Sequence, residues 1–300
     1  MKFDSFICAA AFEPKSLKHP NAWVGHIPFL NWLLREFSPK VFVELGTHTG
    51  NSYFSACQSV NESDLDTVCF AVDTWLGDDH AGRYSDEIFS EVAAYNKMHY
   101  ETFSNLMRMT FDEALGSFED GTIDLLHIDG LHTYDAVKHD FYTWLPKLSP
   151  GAIVLFHDTN VFDRNFGVHK LWKELKNDYP LNIEFEHSYG LGVIKINGGE
   201  NHYGYDWLSK KEDKLKLIEY FEAIGRHLMK GFEVITLKEV LELKNNDLHD
   251  YLLRHQKLDE QLMQTQEQLK QTQEQLKQIS GSSVWRIYQY LRNVITKFRM

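Results

Sequence analysis

The chain has few cysteines, no long apolar run and a deficit of positive charge, and each of these excludes a class of protein. Three cysteines in 300 residues, with no CxxC pair among them, exclude a disulfide scaffold and favour a reducing compartment. No stretch of about 18 apolar residues occurs, so no transmembrane helix is expected. The first residues, MKFDSFICAAAFEPK, hold too short an apolar run for a secretory signal, and we expect a cytoplasmic protein.

The charge balance is acidic. Lysine and arginine number 31 against 43 aspartates and glutamates, which gives a formal charge of −12 and argues against a broad nucleic-acid surface, although it leaves room for one local basic patch. The remaining composition, 43% hydrophobic and 25% charged, is typical of a globular protein and excludes wholesale disorder.

Residues 39–200 alternate short apolar runs with longer amphipathic stretches, the pattern of a parallel sheet flanked by helices in an α/β protein. Residues 1–38 contain a further helix, predicted over 26–37, that covers one side of the sheet. Another helix is predicted over 133–145 and ends before Pro146. The predicted strands are 41–43, 68–72, 123–128, 152–156, 183–185 and 192–196.

The strand pattern stops after residue 200. Residues 201–254 are predicted as a helical addition, with helices near 211–229 and 237–254. In residues 255–280 the heptapeptide QTQEQLK occurs twice in tandem, at 264–270 and 271–277. The apolar seam of this segment repeats four and three residues apart, which predicts a coiled coil and therefore a homo-oligomer. Its alternative is a solvated single helix, because about three heptads are marginal alone. The seam consists of Leu258, Leu262, Thr265, Leu269, Thr272, Leu276 and Ile279.

Residues 283–300 follow the Ser280–Ser283 break and carry four basic residues and no acidic one. Their apolar residues recur at helical spacing, so a basic amphipathic helix is predicted. Such a helix lies on an anionic membrane surface, docks to a partner, or packs back on the globular domain.

The first strand leads into a glycine turn, Glu44 to Gly50, followed by a helix pattern. Glycines at such a turn let a ligand approach the backbone at a helix N-terminus, although the signal alone is weak. The carboxylate of Glu44, before the first glycine, suits a ligand with an ammonium group better than a pyrophosphate. The second strand ends in Asp73, which is placed to bind ribose hydroxyls. Together these suggest S-adenosylmethionine, whereas Asp73 as a helix cap with Thr74 is the alternative.

Two further strands end in polar pairs. Asp129 and His132 follow one, and His157 and Asp158 follow the next. Ligands of an open parallel sheet bind beyond the carboxyl ends of its strands, so these four residues are expected in one crevice. Two carboxylates with one or two imidazoles hold a divalent cation or position a proton acceptor. One strand-end aspartate is often a cap, but two on adjacent strands, each near a histidine, favour function.

The motifs VELGTHTG, FAVDTW, LLHIDGLHTYDAVKHDF, PGAIVLFHDT, FGVHKLW and YGLGVIKI occur in this order over residues 43–196. Residues 24–200 thereby resemble the class I S-adenosylmethionine-dependent methyltransferases of the macrocin and sugar O-methyltransferase type, which occur in bacterial surface-polysaccharide clusters. The resemblance implies a Rossmann-like fold with a mostly parallel seven-stranded sheet and helices on both faces.

It also implies that Glu44, Gly46, Thr47 and Gly50 surround the methionine part of the cofactor and that Asp73 holds its ribose. Asp129 and Asp158 match metal-ligand positions, and His132 matches the catalytic base. Several metal-dependent relatives have Glu-Asp where this chain has His157-Asp158. His157 therefore either joins the metal shell, which favours Mn over Mg, or stays outside it. His127 and His139 are expected to be structural.

We therefore expect a methyltransferase that modifies a sugar hydroxyl of a surface glycan or a sugar-nucleotide precursor, assisted by Mg or Mn. The aromatic stretch 75–100 is expected to form a flap in which Trp75 or Tyr84 stacks on the acceptor. A glycosyltransferase partner and peripheral contact with the inner face of the membrane through 283–300 are further expectations. Two alternatives stay open: a metal-dependent hydroxylase of the same fold, and a non-catalytic scaffold subunit of a polysaccharide-assembly complex.

Overall fold

A computed structural model describes residues 3–78, 80, 82–163, 165–198 and 206–297. It divides into two compact units, residues 1–233 and 234–300. The helices are α1 Phe3–Ala10, α2 Ile27–Phe37, α3 Asn51–Glu62, α4 Asp86–His99, α5 Phe111–Ala114, α6 Tyr134–Trp144, α7 Val168–Asp178, α8 Asp206–Ser209, α9 Lys211–Gly281 and α10 Ser283–Lys297. The strands are β1 Val41–Leu45, β2 Val68–Asp73, β3 Gly77–Asp78, β4 Gly82–Arg83, β5 Ser104–Arg108, β6 Ile123–Ile128, β7 Leu148–His157, β8 Asn182–Phe185 and β9 Leu191–Lys195.

Seven strands form one sheet in the order β5-β2-β1-β6-β7-β9-β8. The first five are parallel, whereas β9 runs antiparallel to both β7 and β8. This confirms the α/β fold class with a mostly parallel seven-stranded sheet. Strands β3 and β4 form a separate two-stranded hairpin after β2.

Helices cover both faces of the sheet because its central strands are apolar on both sides. In β1 the side chain of Phe42 packs into one core, with α2 and α3, while Val43 packs into the other, with α6 and α7. Both cores are rich in buried aromatic side chains, among them Trp32 on the first face and Trp144 on the second. The expected helical cover of residues 1–38 lies on the first face.

Helix bounds follow their local sequence. The side chain of Thr133 accepts a hydrogen bond from the backbone N–H of Ala136 and caps α6, and Pro28 stands in the first turn of α2, where its missing N–H is not needed. The predicted stretches 211–229 and 237–254 join into one helix, α9, because only glycine at 231 and no proline lies between them, and one glycine does not end a helix. The first turns of α9 bury Leu217 and Phe221 in the first core.

In the second unit, residues 234–281 continue α9, and α10 follows after a break at Ser282. The seam leucines and Ile279 are exposed on the single chain, so their pairing in a coiled coil stays a prediction. Among the described residues, no helix combines the length and apolar character needed to cross a bilayer.

Candidate active site

The site lies where the strand order reverses, between the neighbouring strands β1 and β6. The backbone N–H of Asp129, just after β6, donates to the carbonyl of Leu45 at 2.8 Å. Gly46, the residue after Leu45, has φ +88°, and a Cβ atom on it would lie 2.1 Å from the carbonyl oxygen of Asp129. Only glycine therefore permits this turn to pack against the segment that begins at Asp129.

Asp73, at the end of β2, holds the glycine turn in place. Its Oδ2 accepts hydrogen bonds from the backbone N–H groups of Thr47 and His48, both at 2.9 Å, and its Oδ1 accepts one from Trp75 at 2.7 Å. The carboxylate does not cap a helix, so the alternative interpretation of Asp73 is not what the structure shows. Because a carboxylate has about four acceptor sites, it keeps capacity for a ligand hydroxyl.

Glu44 lies beneath the turn and is fully buried. Its Oε2 is 2.9 Å from Nδ1 of His127, whose Nε2 accepts a hydrogen bond from the indole N–H of Trp23 at 2.9 Å. This second bond places the His127 proton on Nδ1, facing Glu44. Burial raises the pKa of Glu44, and hydrogen bonds from His127 and Ser52 act in the opposite direction. Contact between Glu44 and a ligand ammonium group stays a prediction, and His127 is buried, as expected of a structural residue.

Asp129, His132 and Asp158 form the one group among the described residues whose donor atoms are arranged to hold a metal ion, all within 4.8 Å of one another. Nε2 of His132 lies 2.8 Å from Oδ2 of Asp158 and 3.4 Å from Oδ1 of Asp129. Asp158 adopts a left-handed conformation, φ +62°, that turns its carboxylate toward His132 at the end of β7.

These charges perturb one another. Burial alone would lower the pKa of His132, but the hydrogen bonds and negative charges of Asp129 and Asp158 raise it to about 9. Burial opposes ionisation of Asp158 as well, yet the charge of His157 and the hydrogen bonds of both histidines lower its pKa to about 2. Without a cation, both carboxylates are therefore ionised at neutral pH and His132 is protonated.

His157 lies against this group rather than within it. Its Nδ1 is 3.1 Å from Oδ1 of Asp129 and 3.4 Å from Oδ2 of Asp158, and its Nε2 is 3.1 Å from the carbonyl oxygen of Ser188. Both ring nitrogens therefore face acceptors. His132 joins the two aspartates in the candidate metal group, and the expected role of His157 as a metal ligand stays a prediction.

Two adjoining cavities share Gly46, His48, Tyr84 and Asp129 in their walls. One, of about 240 Å³, reaches Asp73 and the ring of Phe111. The other, of about 160 Å³, reaches the expected turn residue Thr47 and the group of Asp129, His132 and Asp158. Gly50, the last glycine of the turn, has φ +84° and precedes α3.

A third cavity, of about 420 Å³, adjoins the second and shares His48, His132 and Asp158 with it. Phe166 stacks on the imidazoles of both His132 and His80, with ring centres 4.6 Å apart in each pair. The backbone N–H of Gly167 donates to the carbonyl of His132 at 2.7 Å. The loop before α7 therefore holds His132 from outside the sheet.

The structure corrects one expectation for the flap. Trp75 is buried, 1% exposed, and its indole N–H donates to the carbonyl of His48 at 2.9 Å, so it presents no free face to an acceptor. Tyr84 does line the cleft, stacked on His48 with ring centres 4.2 Å apart. Sequence reasoning missed Phe111, His80 and Phe166 as site residues, since each lies in a loop or a helix start with no periodic pattern.

Residues 43–159 match the family model described as a methyltransferase domain. This segment, well under half of the chain, runs from within β1 to just beyond the end of β7 and contains all of the expected site residues. The match supports a methyltransferase with the expected cofactor, S-adenosylmethionine.

A curated relative is the uncharacterized protein y4gI of Sinorhizobium fredii, 43% identical over 257 residues. The alignment covers 83% of this chain but 27% of that protein, so the chain spans about a quarter of its relative's length.

Solved structures with a similar fold include the O-methyltransferase TomG of Streptomyces achromogenes in complex with SAM, 13% identical, covering 66% of this chain and 92% of TomG with a TM-score of 0.43. The SAH-bound methyltransferase PaMTH1 of Podospora anserina is 15% identical over 66% of this chain and 87% of its own, with a TM-score of 0.44.

Proposed function

We propose that this protein is an S-adenosylmethionine-dependent O-methyltransferase that acts on a sugar hydroxyl with the help of a divalent cation. One observation carries the proposal: the ribose-binding candidate Asp73, the glycine turn and the group of Asp129, His132 and Asp158 line two cavities that share a wall. A cofactor bound in these cavities would meet, beside His132, an acceptor bound in the third cavity.

The cofactor supplies an activated methyl group, so the protein has to align the acceptor oxygen and remove its proton. In our proposal the remaining acceptor capacity of Asp73 binds a ribose hydroxyl, and Phe111 offers its ring to the adenine. Gly130 leaves room for that ring, because a Cβ atom at residue 130 would lie 2.4 Å from the Phe111 ring. Glu44, buried against His127, positions the turn around the methionine part.

The donor atoms of Asp129 and Asp158 fit a divalent cation, since two ionised carboxylates converge within 4.8 Å beside one imidazole. Such a cation lowers the pKa of a bound hydroxyl by withdrawing electron density. With His132 kept free as the base, the two carboxylates offer oxygen donors, which suit Mg or Mn.

His132 is the proposed base. The carboxylates that keep it protonated are the same groups that would hold the cation, so engaging them with a cation removes the cause of its raised pKa. Its Nε2 is then free to accept the proton of the acceptor hydroxyl. Its other nitrogen, Nδ1, is buried without a hydrogen-bond partner among the described residues, so Nε2 is the nitrogen that serves the cleft.

The acceptor is proposed to occupy the cavity of about 420 Å³ beside His132. Phe166 and Tyr189 give this cavity aromatic faces, which suit the apolar face of a sugar ring. A glycan or a sugar nucleotide from surface-polysaccharide assembly is the proposed substrate class, with a glycosyltransferase as the proposed partner.

Titration calorimetry of the full chain with S-adenosylmethionine tests the cofactor, and absence of binding would refute the proposal. Mass spectrometry of surface glycan from cells with and without the protein then tests the reaction. A product heavier by one CH₂ group supports methyl transfer, whereas a product heavier by one oxygen atom identifies the hydroxylase alternative. A protein that binds the cofactor but changes no glycan refutes the sugar assignment alone.

A further inference from the structure

We propose that α10 binds the surface of an anionic phospholipid bilayer. The inference goes beyond methyl transfer and does not depend on it, because it rests only on the second unit of the chain. Helix α10 runs from Ser283 to Lys297 and has no acidic residue.

The apolar side chains of α10 lie on one face. At roughly 100° per residue, six of them fall within a sector of roughly 120°. Four of these, Val284, Ile287, Leu291 and Ile295, are between 53% and 76% exposed, so the chain itself leaves the face uncovered. Tyr288 and Val294 complete the set.

The positive charges lie outside this face. On the same helical projection Arg292 lies roughly 40° beyond one edge, and Lys297 and Arg286 lie roughly 60° and 80° beyond the other. Long basic side chains in such positions reach lipid headgroups while the apolar face enters the acyl region. The whole chain has a formal charge of −12, whereas the charged side chains of α10 are all positive.

Charge complementarity thus selects an anionic lipid surface over an apolar protein groove. Fifteen residues are too few to cross a bilayer, so α10 would lie in the plane of the interface. Trp285 and Tyr288 stack with ring centres 5.5 Å apart near the start of the helix, and aromatic residues of this kind favour the headgroup region.

The test is co-sedimentation of the full chain with vesicles of phosphatidylcholine alone and of phosphatidylcholine with phosphatidylglycerol. Binding is expected only to the anionic vesicles and is expected to weaken as salt is raised. The triple variant R286Q, R292Q and K297Q should bind about a hundredfold more weakly, because each cation near an anionic surface contributes roughly fivefold. The variant L291Q should also bind more weakly, through its lost apolar contact.

Matched controls come from α9. The triple variant K257Q, K270Q and K277Q removes the same number of charges, and L252Q replaces a leucine outside the seam with similar exposure, 52% against 53% for Leu291. Both controls should bind like the parent, and circular dichroism should show unchanged helix content in all variants. The proposal is overturned if the full chain stays off anionic vesicles, if it binds zwitterionic vesicles equally, or if the α9 and α10 variants lose binding to the same extent.

Discussion

The Nε2 atom of His132 lies 2.8 Å from Oδ2 of Asp158, on the side of the imidazole that faces the cleft. This one nitrogen is close enough to both carboxylates to complete a metal shell, and it is also the nitrogen that a base must keep free. One nitrogen lone pair cannot bind a cation and accept a proton at the same time. An experiment can therefore distinguish the two roles.

We expect D158N to lose divalent-cation binding and H132Q to keep it, with transfer reduced by a factor of 10² to 10⁴, the usual contribution of a general base. Calorimetry with Mn²⁺ measures the first effect, and methyl transfer from labelled cofactor measures the second. His139 is an exposed histidine 2.8 Å from Asp112, and H139Q, which breaks that similar pair, should change neither. Equal loss of Mn²⁺ binding in H132Q and D158N would make His132 a ligand and not the base.

The sequence was sufficient to place the residues that end regular strands. Asp73, Asp129 and Asp158 each follow an apolar run, and parallel strands bring their carboxyl ends to one edge of the sheet. Strand β5, with the sequence SNLMR, was not predicted, because this edge strand is half polar and has no apolar run.

The contacts that tune the site were beyond prediction for a different reason. Phe166 reaches His132 from a loop more than thirty residues further along the chain, and Ser188 meets His157 from another loop. No periodic pattern connects such residues, so only the folded chain shows which of them meet.

Asp73 is expected to serve both the cofactor and the fold. The variant D73N replaces one carboxylate oxygen by an NH₂ group, which cannot accept the N–H donors that Asp73 now satisfies. We expect the free energy of unfolding to fall by about 1–3 kcal/mol and the affinity for S-adenosylhomocysteine to fall at least tenfold. Urea unfolding and calorimetry give the two values. Unchanged affinity in a folded D73N protein would remove the ribose assignment.

The tight turn at Gly46 predicts a large loss of stability on adding one methyl group. In G46A the Cβ would meet the carbonyl of Asp129 at 2.1 Å, and φ +88° is strained for alanine. Such strain and clash cost about 3 kcal/mol or more. Gly116 has open space around its Cβ position, so G116A should change stability by less than about 1 kcal/mol. Similar unfolding midpoints for the two variants would contradict the packing of the turn.

The buried His26 predicts loss of stability on mild acidification. Burial holds its pKa well below 6.5, with the charges of His187 and His157 acting in the same direction. As the pH falls below 6.5, the unfolded chain therefore binds a proton at His26 that the folded chain does not bind. The free energy of unfolding then decreases, with a limiting slope of about 1.4 kcal/mol per pH unit. His132 and His157 have raised pKa values and stay protonated in the folded chain, so they oppose this slope while the unfolded histidines titrate near pH 6.5 and add almost none below about pH 6.

The measurement is urea unfolding at about pH 6 and about pH 5, below the unfolded pKa of histidine. The parent should lose stability between them, and H26Q should lose less because one source of the slope is gone. His139 is exposed and its pKa is raised by Asp112, so H139Q should retain the parent's slope. If H26Q leaves the slope unchanged, other groups cause the acid sensitivity. His187 is then the first candidate, because burial lowers its pKa as well.

The exposed seam of residues 258–279 predicts self-association of this chain. Leu262 and Leu269 are 54% and 58% exposed on the single chain and stand at equivalent positions of successive heptads. The double variant L262K and L269K places like charges in the seam and should reduce the mass seen by light scattering to that of one chain. Q264K and Q271K add the same charge two residues along, on an outward position, and should keep the parent's mass. A parent that is already monomeric at micromolar concentration would show instead that α9 continues as a solvated single helix.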